Sequence, residues 1–410
     1  MRNEGISIES RPRQCAVVGG GAAGFFLALN LKEMCPEMQV TILERSQHVL
    51  AKVAISGGGR CNCTNSFAQV RDLSEVYPRG HRLLKRLFHL FGPRDAYEWF
   101  ERHGVELTTQ DDECVFPSSQ DSKTIIDCFL NEAHRHGIDI KTCTPIQSLD
   151  ELQSFAYVAI TTGGQPKATS LQWLADAGHE IEQPVPSLFT FNIDDERLRS
   201  LMGTVCEHAS MMLPQTKFRS TGPLLVTHWG LSGPATLKLS SHAARWLHER
   251  NYQSPVSINW TGMNETEVAS HMARLTATHP QKAVSSVHPF DLSARLWSHL
   301  IERSLDGKAD ARWAEIGKKH MNRLVNTLCN DTYLINGRAP FKDEFVTCGG
   351  VSLNSVVPQT LESRCRPHLY FAGEILDIDG VTGGFNFQAA WTTAYTVANA
   401  ISKAEKDLTQ

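Results

Sequence analysis

The sequence predicts an α/β fold in which a nucleotide-binding domain is interrupted by an inserted module, and three observations carry that reading. Near the start, a short apolar strand, Cys15-Ala16-Val17-Val18, enters a glycine-rich turn and then an apolar helix pattern, Ala22 to Leu31. Near the end, Leu369-Tyr370-Phe371-Ala372-Gly373-Glu374 repeats the strand-to-glycine arrangement, and Gly383-Gly384 precedes a helix-like run, Phe387 to Ile401. Between Gly164 and the return near Phe345 lie about 180 residues of a different texture, flagged by Pro184 and Pro186. A chain of 410 residues has room for about two to three domains. Its 40 Lys plus Arg against 44 Asp plus Glu leave a net charge of −4, which excludes a chain basic throughout. Charged residues at 20% and aromatics at 8% exclude collagen, a coiled coil and wholesale disorder.

The first element needs separating from a competing one. Gln14 to Leu31 is a long uncharged run that follows Arg11 and Arg13, the pattern of a signal peptide or a membrane span. It carries four glycines, Gln14 and Asn30, so the better account divides it into a buried strand and a helix joined by the glycines. In that turn, Gly19, Gly21 and Gly24 match GxGxxG. Gly19 would make the tight turn, Gly21 would let backbone approach a pyrophosphate, and Gly24 would let helix and strand pack closely. A helix start there presents free N–H groups and a positive dipole end to phosphates. A second strand pattern, Gln39 to Leu43, ends in Glu44, 20 residues past Gly24, where a carboxylate can accept bonds from ribose hydroxyls. Strand, turn, helix, strand and acid in that order point to a dinucleotide.

The run from Lys52 to Asn65, with Gly57-Gly58-Gly59-Arg60-Cys61-Asn62 at its centre, suits either a backbone-lined anion site or a flexible polar loop. Phe155 to Ile160 reads as a buried strand ending in Thr161-Thr162-Gly163-Gly164, a sharp turn where backbone can meet a ligand. In the middle stretch, Leu188 to Ile193, Leu224 to Thr227 and Val256 to Trp260 read as strands, and several short strands between Gly and Pro turns suit a small barrel. Glu265 to Ala277, Ser293 to Ser304 and Arg312 to Leu328 read as helices. Eleven cysteines, an odd number spread along the chain, argue against a disulfide scaffold and for a reduced, cytoplasmic protein. There is no CxxC and no HExxH, and Cys61-x-Cys63 alone is too tight for a structural zinc site, so no metal is expected.

Arg79 to Arg94 holds five basic residues and no acid. On a helix, His81, Arg82, Lys85, Arg86 and His89 share a face, with Leu83, Leu84, Leu87 and Leu90 pointing elsewhere. Such a stripe is either a solvated face or a track for a phosphate backbone.

Several of these runs match a known family. Val17-Val18-Gly19-Gly20-Gly21-Ala22-Ala23-Gly24, Ile55 to Asn65, Phe345 to Leu353 and Leu369 to Ala394 resemble the aminoacetone-oxidase-like (BaiN/YhiN-type) FAD-binding flavoproteins, as do Cys114 to Ser118 and Thr227 to Pro234. The resemblance runs from about residue 14 to 402. It implies FAD, a Rossmann-like domain built from residues 1–187 and 343–410, a β-barrel over 188–262, and a helical segment and return over 263–342. The FAD site it implies comprises Gly19, Gly21, Ala23 and Gly24; Glu44 and Arg45; Lys52, Gly59, Arg60, Cys61 and Asn62; Thr162 and Gly163; and Gly373, Glu374, Gly384, Phe385 and Asn386. Glu374 takes the acid position, and Gly384-Phe385-Asn386 the flavin-facing turn, where a helix start would stabilise negative charge on the reduced ring. After Gly163-Gly164 the chain has only Gln165 to Ser170 where the family carries a longer loop, so no contact is transferred from that loop.

The activity implied is that of an FAD-dependent oxidoreductase moving a hydride between flavin and substrate. Assignments within the family include amine oxidation, reduction of steroid-like substrates and reduction of uridine to dihydrouridine in ribosomal RNA. The basic stripe, with Arg82, Lys85 and Arg86, favours RNA as partner. The insert is expected to cap the flavin and shape the cleft. No second GxGxxG follows a strand and no CxxxxC pair exists, so electrons are expected from NAD(P)H visiting the flavin directly rather than through a disulfide. For an activated double bond a proton donor is also needed. Cys61 is the candidate general acid, ahead of Cys63, against the alternative of a buried structural thiol. A non-catalytic flavin- or RNA-binding protein is the reading from another class.

Overall fold

The computed structural model describes residues 13–306, 310–339 and 346–409. Arg11, Phe345 and the expected boundary at 343 lie outside them. The chain divides into two compact units, Met1–Pro184 with Val346–Gln410, and Val185–Phe345.

The first unit is built on five parallel strands: β1 (Gln14–Val18), β2 (Gln39–Leu43), β3 (Asp139–Lys141), β4 (Tyr157–Ile160) and β5 (Leu369–Phe371). Their spatial order is β3-β2-β1-β4-β5, with Cys15 of β1 beside Val40 on one side and Tyr157 on the other. Central strands of a parallel sheet are covered on both faces and so are apolar runs; Cys15 to Val18 of β1 are all buried. Two helices from opposite ends of the chain meet on this sheet, α1 (Ala22–Met34) and α2 (Phe385–Thr409). The Phe26 ring lies 5.0 Å from Trp391 and 4.6 Å from Trp99. Because α1 is buried from Ala23 to Leu31, it lacks the polar stripe of a surface helix. Its one buried amide, Asn30, donates to the Phe26 carbonyl at 2.7 Å, which offsets the cost of taking it out of water. Strand order reverses beside β1, and the carboxyl ends of strands at such a reversal are where open α/β sheets bind ligands. Between β2 and β3 the chain adds a small antiparallel sheet of Thr64–Asn65, Cys114–Pro117 and Leu107–Thr109.

The second unit holds a closed six-stranded barrel. Around it run Val205–Met212, Arg219–Thr227, Gly230–Ser232, Phe191–Ile193, Asp331–Arg338 and Gln253–Asn259. The expected split at 262 differs from this. Asp331–Arg338 pairs with both Gln253–Asn259 and Phe191–Ile193, so the barrel is closed by a strand beyond the helices, and Glu265–Thr278, Ala294–Ser304 and Lys318–Asn330 are an excursion between two neighbouring strands. The strand expected from Leu188 begins at Phe191, because Leu188 takes a left-handed conformation, φ 57°, that no strand continues through. The helix expected from Arg312 begins at Lys318, after a single 3-10 turn and an extended Gly317.

The uncharged run Gln14 to Leu31 is divided at Gly19 to Gly21 into β1 and α1, in place of one membrane-length segment. No helix among the described residues is long and apolar enough to cross a membrane.

Candidate functional site

The glycines after β1 have separable roles. Gly19 has φ +113°, and a Cβ on it would lie 2.5 Å from the Thr161 carbonyl oxygen. A Cβ on Gly24 would lie 2.0 Å from the Gly19 carbonyl oxygen, so only glycine lets α1 sit this close to β1. At Gly21 a Cβ would meet nothing within 4 Å. Packing therefore does not explain that glycine, whereas a ligand approaching its backbone does. Ala23 lies against the late strand's turn: a Cβ on Gly373, at φ +79°, would be 2.8 Å from the Ala23 Cβ. Two residues outside the expected set complete the turn. Thr161 donates its hydroxyl toward the carbonyls of Val18 (3.1 Å) and Gly19 (2.9 Å), and Gly20 donates its N–H to Glu44 Oε2 at 2.8 Å. Thr161 stood in the quoted turn, but nothing in its spacing marked it above Thr162, which is half-buried beside Gly163 at φ +70°.

Two carboxylates stand at strand ends. Glu44, just past β2, accepts from Gly20 on one oxygen and from the backbone and hydroxyl of Ser46 on the other, all at 2.8 Å. Oε2, with a single donor, keeps a lone pair for a further one. Its neighbour Arg45 is exposed. Glu374, just past β5, pairs with the exposed Lys52 at 2.8 Å and accepts from the Thr347 N–H at 2.8 Å. A Cβ on Gly164 would lie 2.5 Å from Glu374 Oε1, so the Gly163-Gly164 turn is shaped around this acid. The structure thus brings Lys52, Gly163 and Glu374 together from three distant segments.

The Gly57-Gly58-Gly59 run is a tight turn with φ of 56°, 69° and 86°, and a Cβ on Gly58 or Gly59 would meet nothing within 4 Å. Arg60 is occupied locally: it donates to Gly57 O (3.2 Å) and Gln120 Oε1 (3.3 Å), and its guanidinium lies 4.2 Å from the Phe116 ring centre. Cys61 and Cys63 are fully buried. Burial pushes the Cys61 thiol up to about 12, against a smaller opposite effect of the Ser56 hydroxyl. Burial likewise raises Cys63, which donates to the Val115 carbonyl at 3.3 Å. With its amide nitrogen facing carbonyls, Asn62 donates to Thr64 (2.8 Å) and Val115 (3.2 Å) and accepts from the Gly384 N–H at 3.1 Å. Gly384 has φ +85°, and a Cβ there would lie 2.1 Å from Thr64 O. Asn62 and Gly384 therefore lock the early loop to the start of α2.

That start comes two residues sooner than the pattern indicated. Asn386 lies in the first turn of α2 and closes the preceding loop, accepting from Gly380 N–H (2.8 Å) and donating to Gly380 O (2.9 Å). Phe385 is buried, and its carbonyl accepts from the Tyr77 hydroxyl at 2.8 Å. Below this loop Arg79 and Asp379 form a two-pronged ion pair, with Asp379 wholly covered and Arg79 12% exposed. No sequence signal indicated this pair, since 300 residues separate the partners. Arg79 leads into the basic segment, which forms a helix over His81–Leu87. Leu83, Leu84 and Leu87 are buried while Arg82, Lys85 and Arg86 are exposed, as the stripe requires. Leu90 departs from it: the helix has ended, and Leu90 is 39% exposed.

Open glycine backbone at a helix start, two strand-end acids with spare acceptor capacity and a second glycine turn all belong to the first unit. The donor set fits a dinucleotide, with amides for a pyrophosphate and carboxylates for ribose or ribityl hydroxyls.

Comparison with known proteins finds the following likenesses. A family model described as the HI0933-like protein Rossmann domain matches residues 13–400. A 3-dehydro-bile acid delta(4,6)-reductase of Clostridium scindens is 26% identical over 94% of this chain and 98% of its own length. A ribosomal RNA dihydrouridine synthase of Escherichia coli is 25% identical over 95% and 98%. Among solved structures, a 3-ketosteroid delta1-dehydrogenase of Sterolibacterium denitrificans aligns over 96% of this chain and 100% of its own, with 11% identity and a TM-score of 0.47.

Proposed function

The chain belongs to the HI0933-like Rossmann-domain family and is an FAD-dependent oxidoreductase, and from that premise we propose that it reduces uridine to dihydrouridine in ribosomal RNA, with NAD(P)H as electron donor. Bound FAD supplies the hydride chemistry. The chain's own residues would hold the cofactor: the backbone at Gly19, Gly21 and Gly24 would take the pyrophosphate. Glu44 and Glu374 would accept from sugar and ribityl hydroxyls, and the Gly384 turn with the start of α2 would receive the ring. Uridine is a fitting acceptor because its C5–C6 double bond is conjugated to a carbonyl, so hydride goes to one carbon and a proton to the other.

The observation that carries the RNA reading is the exposed face of Arg82, Lys85 and Arg86. Among the described residues none of the three is ion-paired to a carboxylate within 4 Å, and their helix is tied to the loop before Gly384 by Arg79–Asp379. Replacing all three by Glu is expected to raise KM for RNA while sparing the NADPH half-reaction, and to reduce the salt slope of binding by about 2 to 3. An unchanged salt slope would remove this face from the interface.

Cys61 is the proposed proton donor. With its thiol pushed up to about 12, it stays protonated throughout the neutral range, the state a general acid starts from. Cys61→Ala is expected to keep FAD and its reduction by NADPH while turnover falls about 10²-fold or more. Full turnover in the variant would leave Cys61 a structural thiol.

The decisive experiment compares ribosomal RNA from a deletion strain with that of its parent by mass spectrometry. Loss of one dihydrouridine supports the proposal, and an unchanged profile overturns it. The bile acid reductase relative favours a second reading, a steroid-like small molecule. Anaerobic mixing with NADPH followed by either substrate separates the two by which one reoxidises the bleached flavin. Absence of bleaching with NADPH or NADH would instead point to a binding protein.

A further inference from the structure

The segment just before β5 gathers chemistry that the proposed reaction does not use. Among the eleven free cysteines only Cys143 and Cys365 are exposed. The Cys365 sulfur lies 3.5 Å from His179 Nε2, 3.4 Å from Ser363 Oγ and 3.6 Å from the Ala177 carbonyl. His179 is 4% exposed, and its tautomer follows from its partners. Nδ1 lies 2.9 Å from the Leu174 carbonyl, which only accepts, so Nδ1 carries the proton and Nε2 a lone pair. Ser363 Oγ accepts from the N–H groups of Cys365 (3.2 Å) and Arg366 (3.0 Å), which turns its own proton toward Nε2 at 2.8 Å. Burial, with a smaller effect of the Arg366 charge, holds the imidazole below its ordinary pKa, so it is neutral at physiological pH.

Charge completes the setting. Arg364 and Arg366 flank the cysteine, both are exposed, and neither guanidinium is ion-paired among the described residues. An exposed thiol in electropositive surroundings beside an imidazole is the environment in which cysteines react as nucleophiles. Cys143 is also exposed, but among the described residues its sulfur has no imidazole or hydroxyl partner and it is flanked by Thr142 and Thr144 rather than by arginines, which makes it a control within the same chain.

We propose that Cys365 is a thiol–disulfide exchange site for a small disulfide that carries carboxylates. The Cys365 sulfur attacks one sulfur of the incoming disulfide, forming a new S–S bond as the old one breaks. The displaced sulfur leaves with the bonding pair and takes up the thiol proton by way of His179 Nε2. Ser363 swings its hydroxyl from the imidazole to the attacking sulfur while that proton is in transit. Arg364 and Arg366 receive the carboxylates. Thiol plus disulfide becomes mixed disulfide plus thiol, with no further oxidant required.

The test treats the FAD-loaded protein with glutathione disulfide, which is anionic, and in parallel with cystamine, which is cationic, and follows each cysteine by peptide mass spectrometry. Glutathione is expected on Cys365 about ten-fold faster than on Cys143, with a smaller preference for cystamine. Arg364→Gln with Arg366→Gln, both on the surface, should slow glutathione at Cys365 several-fold and leave Cys143 unchanged. His179→Asn, which can still donate to Leu174, should slow both reagents at Cys365. Equal rates at the two cysteines, or the same glutathione-to-cystamine ratio in the arginine variant, would overturn the proposal. The outcome is independent of which substrate the flavin site reduces.

Discussion

Gly24→Ala is expected to cost this protein both its FAD and a large part of its stability. The added Cβ would meet the Gly19 carbonyl oxygen at 2.0 Å and Thr161 Oγ1 at 2.9 Å. The first contact is backbone, held in turn by the Gly19 N–H bond to Leu43 O at 2.8 Å, so it cannot swing aside as a side chain would. Relief requires lifting α1 off β1, which separates α1 from α2 as well. Overpacking of this kind costs about 3 kcal/mol. The measurements are the thermal midpoint and the ratio of flavin to protein absorbance, and both should fall. Gly21→Ala makes the informative partner. Its Cβ meets nothing within 4 Å and its φ of −92° suits any residue, so the fold should keep its midpoint while FAD retention drops. Full FAD retention in Gly21→Ala would mean that the pyrophosphate does not approach that backbone.

Arg79→Ala is expected to be the second large loss. It leaves the Asp379 carboxylate covered by protein without its principal partner, and breaking a buried ion pair from one side costs about 3–5 kcal/mol. The double variant Arg79→Met with Asp379→Leu removes the stranded charge and should recover a good part of that stability, because two buried ions against two apolar side chains come close to balancing. Urea midpoints of the single and double variants test this directly. If Arg79→Ala unfolds with the midpoint of the parent, the pair contributes nothing and the loop before Gly384 is held by its other bonds, those of Asn386 to Gly380 and of Asn65 to Gly383 among them. The FAD spectrum of the double variant then reads whether the pair also aligns the start of α2.

The parts of the site legible in sequence are those in which a single short segment carries the constraint. Gly19, Gly21 and Gly24 are spaced by the turn they make, and Glu44 and Glu374 each follow a strand that shows itself as an apolar run. Asn386 was legible as part of the flavin-facing turn but not in its role, since its amide closes onto Gly380. Barrel closure by Asp331–Arg338 had no local signature, because strand patterns report which face is buried and not which strand lies alongside. The same holds for Cys365, whose flanking arginines are visible in the chain while His179, brought to it from 186 residues away, is not.

By itself the sequence determined the α/β class, the dinucleotide turn, the discontinuous first domain and, through its motifs, the flavoprotein family. Each follows from local periodicity or from the spacing of glycines and motifs within one short segment. The tertiary structure alone decided which groups meet: Lys52 with Glu374, Asn62 with Gly384, Arg79 with Asp379 and Cys365 with His179. Those pairings depend on strand order and on the packing of α1 against α2. Folding sets both by burying apolar surface from distant segments at once, a cooperative choice that no window of sequence contains.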